Sequence, residues 1–247
     1  MRYFIGNWKM FGLPKSINIL KKINTFYTKD RNKGKYRIII TPPYTLLESY
    51  AKYFKKKNIS IGSQNSYQKD EFSSNTAAVS PYMIKSVGAK YALIGHSDNR
   101  SEGDTNEMLK DKVKFALKNN LKVIFCIGET FGQKRKKLTK KILLNQLRKG
   151  LKKIKNKKNI IIAYEPVWSI GSGMIPKIQD LENTTKMIKL FLSNKMKYKN
   201  PKVIYGGSVN QNNINLLKNI TNLDGFLIGG ASQNSKKFID IINKSFN

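Results

Sequence analysis

Eight short apolar runs recur along the chain, at Tyr3 to Asn7, Arg37 to Thr41, Ile59 to Gln64, Tyr91 to Gly95, Lys122 to Gly128, Ile160 to Glu165, Val203 to Gly206 and Gly225 to Gly229. Most are continuously apolar instead of alternating, the pattern of parallel strands buried on both faces. Segments with helical spacing separate them. Pro14-Lys15-Ser16 precedes Ile17, Ile19, Leu20 and Ile23; Asp104-Thr105 precedes Met108, Val113 and Leu117; Thr139 precedes Ile142, Leu143, Leu147 and Ile154. Leu181 to Leu192 is amphipathic, Asn210 is placed to cap Ile214 to Leu217, and Asn234 or Ser235 to cap Phe238 to Ile242. Strand and helix alternate eight times with no linker, repeat or low-complexity break, and 247 residues is the length of one (β/α)8 barrel. The expected fold is α/β, a single (β/α)8 barrel over residues 1–247, in preference to a doubly wound sheet.

In such a barrel chemistry gathers where strands end and loops begin. The strand ends carry Asn7 and Lys9, Gln64-Asn65, Gly95-His96-Ser97, Gly128-Glu129, Glu165, Gly206-Gly207-Ser208 and Gly229-Gly230. The most informative is Ala163 to Gly173. Pro166 has no N–H for a ladder and holds the residue before it extended, so Glu165 is delivered in a fixed pose at the rim. Val167-Trp168 and two glycines then have the make-up of a lid.

These polar groups fall into two chemical sets. Gly171, Gly206-Gly207-Ser208 and Gly229-Gly230-Ala231-Ser232 let backbone N–H groups crowd around an anion, and the loops after the last two strands of a barrel frequently bind phosphate. Glu165, His96, Lys9 and Asn7 suit proton transfer. A carboxylate takes a proton from carbon beside a carbonyl, while an imidazole and an ammonium stabilise the charge that builds on oxygen. His96 is the only histidine and Cys126 the only cysteine, so neither a disulfide nor a multi-cysteine or multi-histidine metal site is expected.

The chain lacks an apolar run of membrane-spanning length and reaches Lys9 too soon for a signal h-region; with one cysteine, a cytoplasmic protein with no membrane partner is expected. The net charge of +32 would ordinarily suggest nucleic acid. It consists of 41 Lys and 6 Arg beside 26 Asn, an excess that follows A-rich codons, and no specific nucleic-acid partner is expected. A basic barrel that binds RNA accounts for the charge but leaves Glu165, His96 and the glycines without work.

The motifs Asn7-Trp8-Lys9-Met10, Ile94-Gly95-His96-Ser97, Cys126-Ile127-Gly128-Glu129, Ala163-Tyr164-Glu165-Pro166-Val167-Trp168, Tyr205-Gly206-Gly207-Ser208-Val209 and Gly225 to Ser232 match, in order, those of the triosephosphate isomerase family, which this chain resembles over residues 3–232. The resemblance implies interconversion of dihydroxyacetone phosphate and D-glyceraldehyde 3-phosphate without a cofactor. It implies that Glu165 is the base that carries the proton between the two carbons, His96 the neutral electrophile and Lys9 the source of positive charge. Asn7 would orient the reacting groups, and backbone N–H groups of Gly171, Ser208, Gly229 and Gly230 would hold the phosphate.

Departures from the family pattern carry their own expectations. Asp98 stands where the family has Glu, shortening a carboxylate that helps to set Lys9 and lowering activity. Asn99 replaces the usual Arg and Thr76-Ala77-Ala78 replaces Thr-Gly-Glu, so a homodimer is expected with Thr76 reaching the neighbouring site across a weakened interface. Met174-Ile175-Pro176 differs from the usual small lid hinge and should stiffen closure.

Overall fold

All eight apolar runs become strands in the computed structural model, which describes residues 1–247. The strands are β1 (Arg2–Asn7), β2 (Tyr36–Thr41), β3 (Ile59–Ser63), β4 (Tyr91–Ile94), β5 (Lys122–Ile127), β6 (Ile160–Tyr164), β7 (Lys202–Tyr205) and β8 (Gly225–Ile228). They pair in parallel in chain order, and β8 returns to β1, so the sheet closes into an eight-stranded barrel. Between them run α1 (Ile17–Lys29), α2 (Tyr44–Phe54), α3 (Pro81–Ser86), α4 (Ser97–Ser101) and α5 (Asn106–Lys118). The second half adds α6 (Phe131–Arg135), α7 (Thr139–Gly150), α8 (Ile178–Met196), α9 (Ile214–Leu217) and α10 (Ser235–Lys244).

Period-two alternation sends successive strand residues to opposite faces, and both faces are dry. Ile5, Ile39, Leu93, Ile124, Cys126, Ala163, Ile204 and Leu227 fill the barrel. Their neighbours, among them Phe4, Ile38, Ala92, Val123, Ile162 and Val203, pack against the helices in a 50-residue cluster. That two-sided burial is why the runs are continuously apolar.

Six strands stop one residue before their expected polar end, yet the ladder carries on: Glu165 N–H donates to Ile127 O at 2.8 Å and Gly206 N–H to Tyr164 O at 2.9 Å. The residues after the strands therefore inherit the register of the barrel. Three helix readings change. Pro14–Ser16 forms a separate 3-10 turn ahead of α1. Helix α7 ends at Gly150, and Lys153, in left-handed backbone at φ 61°, turns Ile154 back toward the core. Asn210 closes a turn by accepting from the N–H groups of Asn212 and Asn213, so the residue at the head of α9 is Asn213. Thr105 and Asn234 cap α5 and α10 as expected, accepting from Met108 N–H and Lys237 N–H. No helix is long and apolar enough to cross a membrane.

Candidate active site

A cavity of about 640 Å³ opens at the C-terminal end of the barrel, and its wall includes Asn7, Lys9, His96, Glu165, Gly171, Ser208, Gly229 and Gly230; of the two chemical sets only Ser232 stands outside it, buried with its hydroxyl donating to Gly229 O. The alternation that fills the barrel also builds this wall, because Asn7 follows Ile5 by two residues, Glu165 follows Ala163 and Gly206 follows Ile204. Glu165, His96 and Asn7 are about 95 % buried, so their chemistry is sheltered from bulk water.

His96 sits at the head of α4 and its Nδ1 accepts the Asp98 backbone N–H at 3.2 Å. A nitrogen that accepts carries no proton, so in the neutral ring the proton is on Nε2. The Asp98 carboxylate also lies 3.4 Å from Nδ1, a contact that would require a proton there. The amide bond and the engagement of that carboxylate by Lys9 favour the Nε2 tautomer. Nε2 is directed at the site, 3.6 Å from Glu165 Oε1. Burial raises the Glu165 pKa above the ordinary glutamate value, against the lowering influence of His96, a hydrogen bond with the Cys126 thiol and the Lys9 charge. Burial also raises the Cys126 pKa, which keeps the thiol protonated. Glu165 Oε2 has no hydrogen-bond partner. A buried carboxylate oxygen left without a partner is costly for stability and suited to taking a proton.

Lys9 is held from two directions. Its backbone lies in the left-handed region at φ 55°, pinned where Gln64 Nε2 donates to Lys9 O at 2.9 Å and Asn7 Oδ1 accepts Lys9 N–H at 3.1 Å. Its ammonium donates to Asp98 Oδ2 at 2.9 Å. Arg100 ties the ends of β4 and β5 together by donating to Gly95 O and Cys126 O, at 2.8 and 3.0 Å, which fixes the strands that carry His96 and Cys126.

Opposite these groups lies the lid. Gly171 adopts φ 69°, which an L side chain rarely takes. Ser208 seats the lid: its hydroxyl donates to Ser169 O at 2.7 Å and accepts Gly173 N–H at 3.0 Å. Ser169 in turn donates to Met174 O and pairs with the Tyr205 hydroxyl, at 2.6 and 2.8 Å. Gly206 is required for a different reason: a Cβ there would stand 2.7 Å from Glu165 Cγ. The turn Gly230–Gln233 starts at the same rim, and the first N–H groups of such a turn have no partner within it.

The wall of the cavity comes from the strand ends, but some of its supports lie elsewhere. Glu129, grouped with the rim residues, faces the other way and accepts hydrogen bonds from Tyr164 Oη and Trp168 Nε1, both at 3.2 Å, behind the lid. Gln64, just after β3, is a support: its Nε2 donates to Lys9 O and Thr41 O, both at 2.9 Å. Cys126 could have been found by parity, two residues before Gly128. Lys237, which also lines the cavity, had no local signal, because its approach depends on where α10 packs. No three His, Cys, Asp or Glu side chains converge as a metal site.

The chain matches the family model for triosephosphate isomerase over residues 2–245. It is 39 % identical to the triosephosphate isomerase of Yarrowia lipolytica over 246 residues, covering 98 % of this chain and 97 % of that protein. It is 37 % identical, with the same coverage, to that of Borrelia garinii. The solved triosephosphate isomerase from Bartonella henselae superposes with a TM-score of 0.90 at 28 % identity, over all of this chain and 99 % of the other. A closed eight-stranded barrel, a carboxylate facing an imidazole across its C-terminal mouth and likeness along almost the whole sequence agree: the chain belongs to the triosephosphate isomerase family.

Proposed function

We propose that residues 1–247 act as one catalytic domain that interconverts dihydroxyacetone phosphate and D-glyceraldehyde 3-phosphate without a cofactor, with Glu165 as base, His96 and Lys9 as charge-stabilising donors and Asn7 as the orienting residue. The observation that carries the assignment is the facing pair, His96 Nε2 at 3.6 Å from Glu165 Oε1 with Nδ1 already occupied. Ionised Glu165 takes a proton from the carbon beside the carbonyl. The electron pair moves into the carbon–carbon bond and the carbonyl oxygen becomes anionic. Nε2–H of His96 and the Lys9 ammonium donate to that oxygen. Return of the carboxylate's proton to the neighbouring carbon, with transfer of a hydroxyl proton through Nε2, completes the isomerisation with no net gain or loss of atoms. Asn7 Oδ1 is committed to Lys9 N–H, which leaves its side-chain N–H groups for the substrate.

The phosphate rests on backbone N–H groups of Gly171, Ser208, Gly229 and Gly230. Seating of the lid on Ser208 excludes water, which strengthens each electrostatic contact and protects the enediolate. Pro176 restricts the far hinge and slows opening and closing. Asp98 keeps its contact with Lys9 despite its shorter side chain, at 2.9 Å.

The active form is a homodimer in which Thr76 of one protomer reaches the other's site. The loops after β1 and β3 expose Met10 fully and Phe72 by 76 %, and beside Lys9 a cavity of about 260 Å³ lined by Gln64, Asn65 and Asp98 has room for a partner loop. The buried Cys126, with no second cysteine, suits a reducing cytoplasm.

One assay tests chemistry and assembly together: isomerisation of glyceraldehyde 3-phosphate by the wild type and by Glu165→Asp, across a range of protein concentrations. Retracting the carboxylate by one methylene is expected to lower kcat about 100-fold. The activity of each subunit is expected to fall on dilution. A wild type without turnover, or an unaffected variant, overturns the residue assignment; activity per subunit that is independent of concentration overturns the dimer.

A further inference from the structure

The opposite end of the barrel carries a second constellation that isomerisation does not use. The inward row of each strand runs the full height of the barrel, so the residue two before each interior residue also points inward at the N-terminal mouth. Ile39, Ile124 and Ile204 belong to the interior cluster. Two residues before them stand Arg37, Lys122 and Lys202. A cavity of about 300 Å³ opens there, lined by these three cations, by Lys158 from the loop before β6, and by the rings of Tyr3 and Tyr91. That volume is at the small end for a ligand site.

No carboxylate lines this cavity. Arg37, Lys122 and Lys158 take part in no ion pair and no side-chain hydrogen bond, although the protein makes such bonds from many other lysines. The neighbouring acid, Asp224, is engaged: it binds Lys189 at 2.8 Å, Lys202 at 3.4 Å and Val203 N–H at 2.9 Å. The Lys122 ammonium is held below its ordinary pKa, first because its partial burial thins the surrounding water and then because Arg37 and Lys90 repel it. Its charge lies 5.7 Å from the Tyr91 ring. Solvated lysines on helix faces need no partner, but these side chains are aimed into one concavity.

Their arrangement selects the ligand. In a ring of eight strands, β2 and β6 are diametrically opposite, so Arg37 and Lys158 approach the mouth from opposing sides, with Lys122 and Lys202 on β5 and β7 flanking the β6 side. A single phosphate group cannot neutralise cations spread around the mouth, whereas several linked phosphates can bridge them. We propose that the N-terminal mouth of the barrel is a second anion site that binds a linear oligophosphate, free or as the tail of a nucleoside triphosphate.

The test is calorimetric titration of the full chain with sodium tripolyphosphate at about 0.15 M salt, where contacts between distant surface charges are screened. It is repeated with Arg37→Gln/Lys122→Gln and with Lys140→Gln/Lys141→Gln, which removes the same charge from the exposed face of α7. The expected result is binding that weakens roughly 10- to 100-fold in the first variant and about twofold or less in the second. The KM for triose phosphate should stay unchanged in both. Lys158→Gln, on a surface loop, should weaken binding in the same direction, which keeps the test open if the double variant folds poorly. Equal affinity for tripolyphosphate and a nucleoside triphosphate identifies the phosphate chain as what is read; tighter nucleotide binding identifies the nucleotide. Equal loss in both double variants shows general charge attraction and overturns the proposal. So does binding that is fully competitive with triose phosphate and insensitive to Arg37→Gln/Lys122→Gln.

Discussion

The two mouths of this barrel are lined by the same strands in the same register, and they handle charge in opposite ways. At the C-terminal mouth the charged groups nearest the chemistry have neighbours of complementary character: Lys9 meets Asp98 and His96 meets Glu165. At the N-terminal mouth Arg37, Lys122 and Lys158 face one another with no acid between them. Parallel strands put all their carboxyl ends on one side, where the longer loops bring residues distant in sequence together and fold over them. The amino ends are joined by short connections that stay out of the way and leave the inward side chains open to solvent. Precise placement is therefore possible at one end, while at the other the chain tolerates a concentration of like charge that water and small anions moderate.

The comparison breaks most visibly if the C-terminal contacts are dispensable. Lys9→Met, which removes one of the donors proposed for the developing oxyanion, is expected to lower kcat about 100- to 1000-fold in the coupled isomerase assay. A loss under fivefold would mean that His96 suffices without it.

Gly206→Ala tests positioning alone. The added methyl would meet Glu165 Cγ at 2.7 Å and push the base out of line, for an expected loss of about 100-fold in kcat while circular dichroism shows the fold retained.

A third prediction concerns stability and pH. Burial raises the Glu165 pKa in the folded protein, so the folded state holds this proton more tightly than the unfolded chain does. The associated stabilisation is complete below the unfolded value, about 4.3, and is lost as pH rises through the folded value. Glu165→Gln should accordingly melt higher than wild type at about pH 8, with the gap closing toward about pH 4, although it is inactive. For the same reason the acid limb of kcat/KM in the wild type should lie above the ordinary glutamate range. Equal melting temperatures across that range would show that the carboxylate is less desolvated than its burial implies.

The smallest effect belongs to the other mouth. Lys122→Gln removes a charge that Arg37 and Lys90 repel, and it should leave kcat unaltered while changing stability by no more than about 0.5 kcal/mol in urea unfolding. A large drop in either would mean that the lysine supports the barrel rather than lining an open site.

Much of the C-terminal mouth is legible in the sequence. Pro166 marks where β6 must end and so locates Glu165; Gly95 and Ser97 bracket His96 at another strand end; the paired glycines near the chain's end stand in the wall of the cavity. Other features were not legible, for identifiable reasons. Glu129 looked like a rim group, and only the phase of β5 sends it outward to Trp168 and Tyr164. Gln64 holds the Lys9 carbonyl across 55 residues of chain, a pairing that no local pattern encodes. The lysine excess read as codon composition, and nothing short of the closed ring distinguishes Lys122 from a solvated lysine on a helix.

By itself the sequence determined the number of strands, their burial on both faces, the parallel alternation with helices and the residue types at each strand end, because all of these follow from local backbone preference and from which side chains avoid water. Only the tertiary structure decided which nitrogen of His96 bears the proton, which oxygen of Glu165 is left free, how Lys9 meets an aspartate 89 residues away, and where cations accumulate without acids. Those outcomes depend on closing β8 onto β1. Until the ring closes, the inward rows have no common axis, and the charges at either mouth have no neighbours to answer or repel.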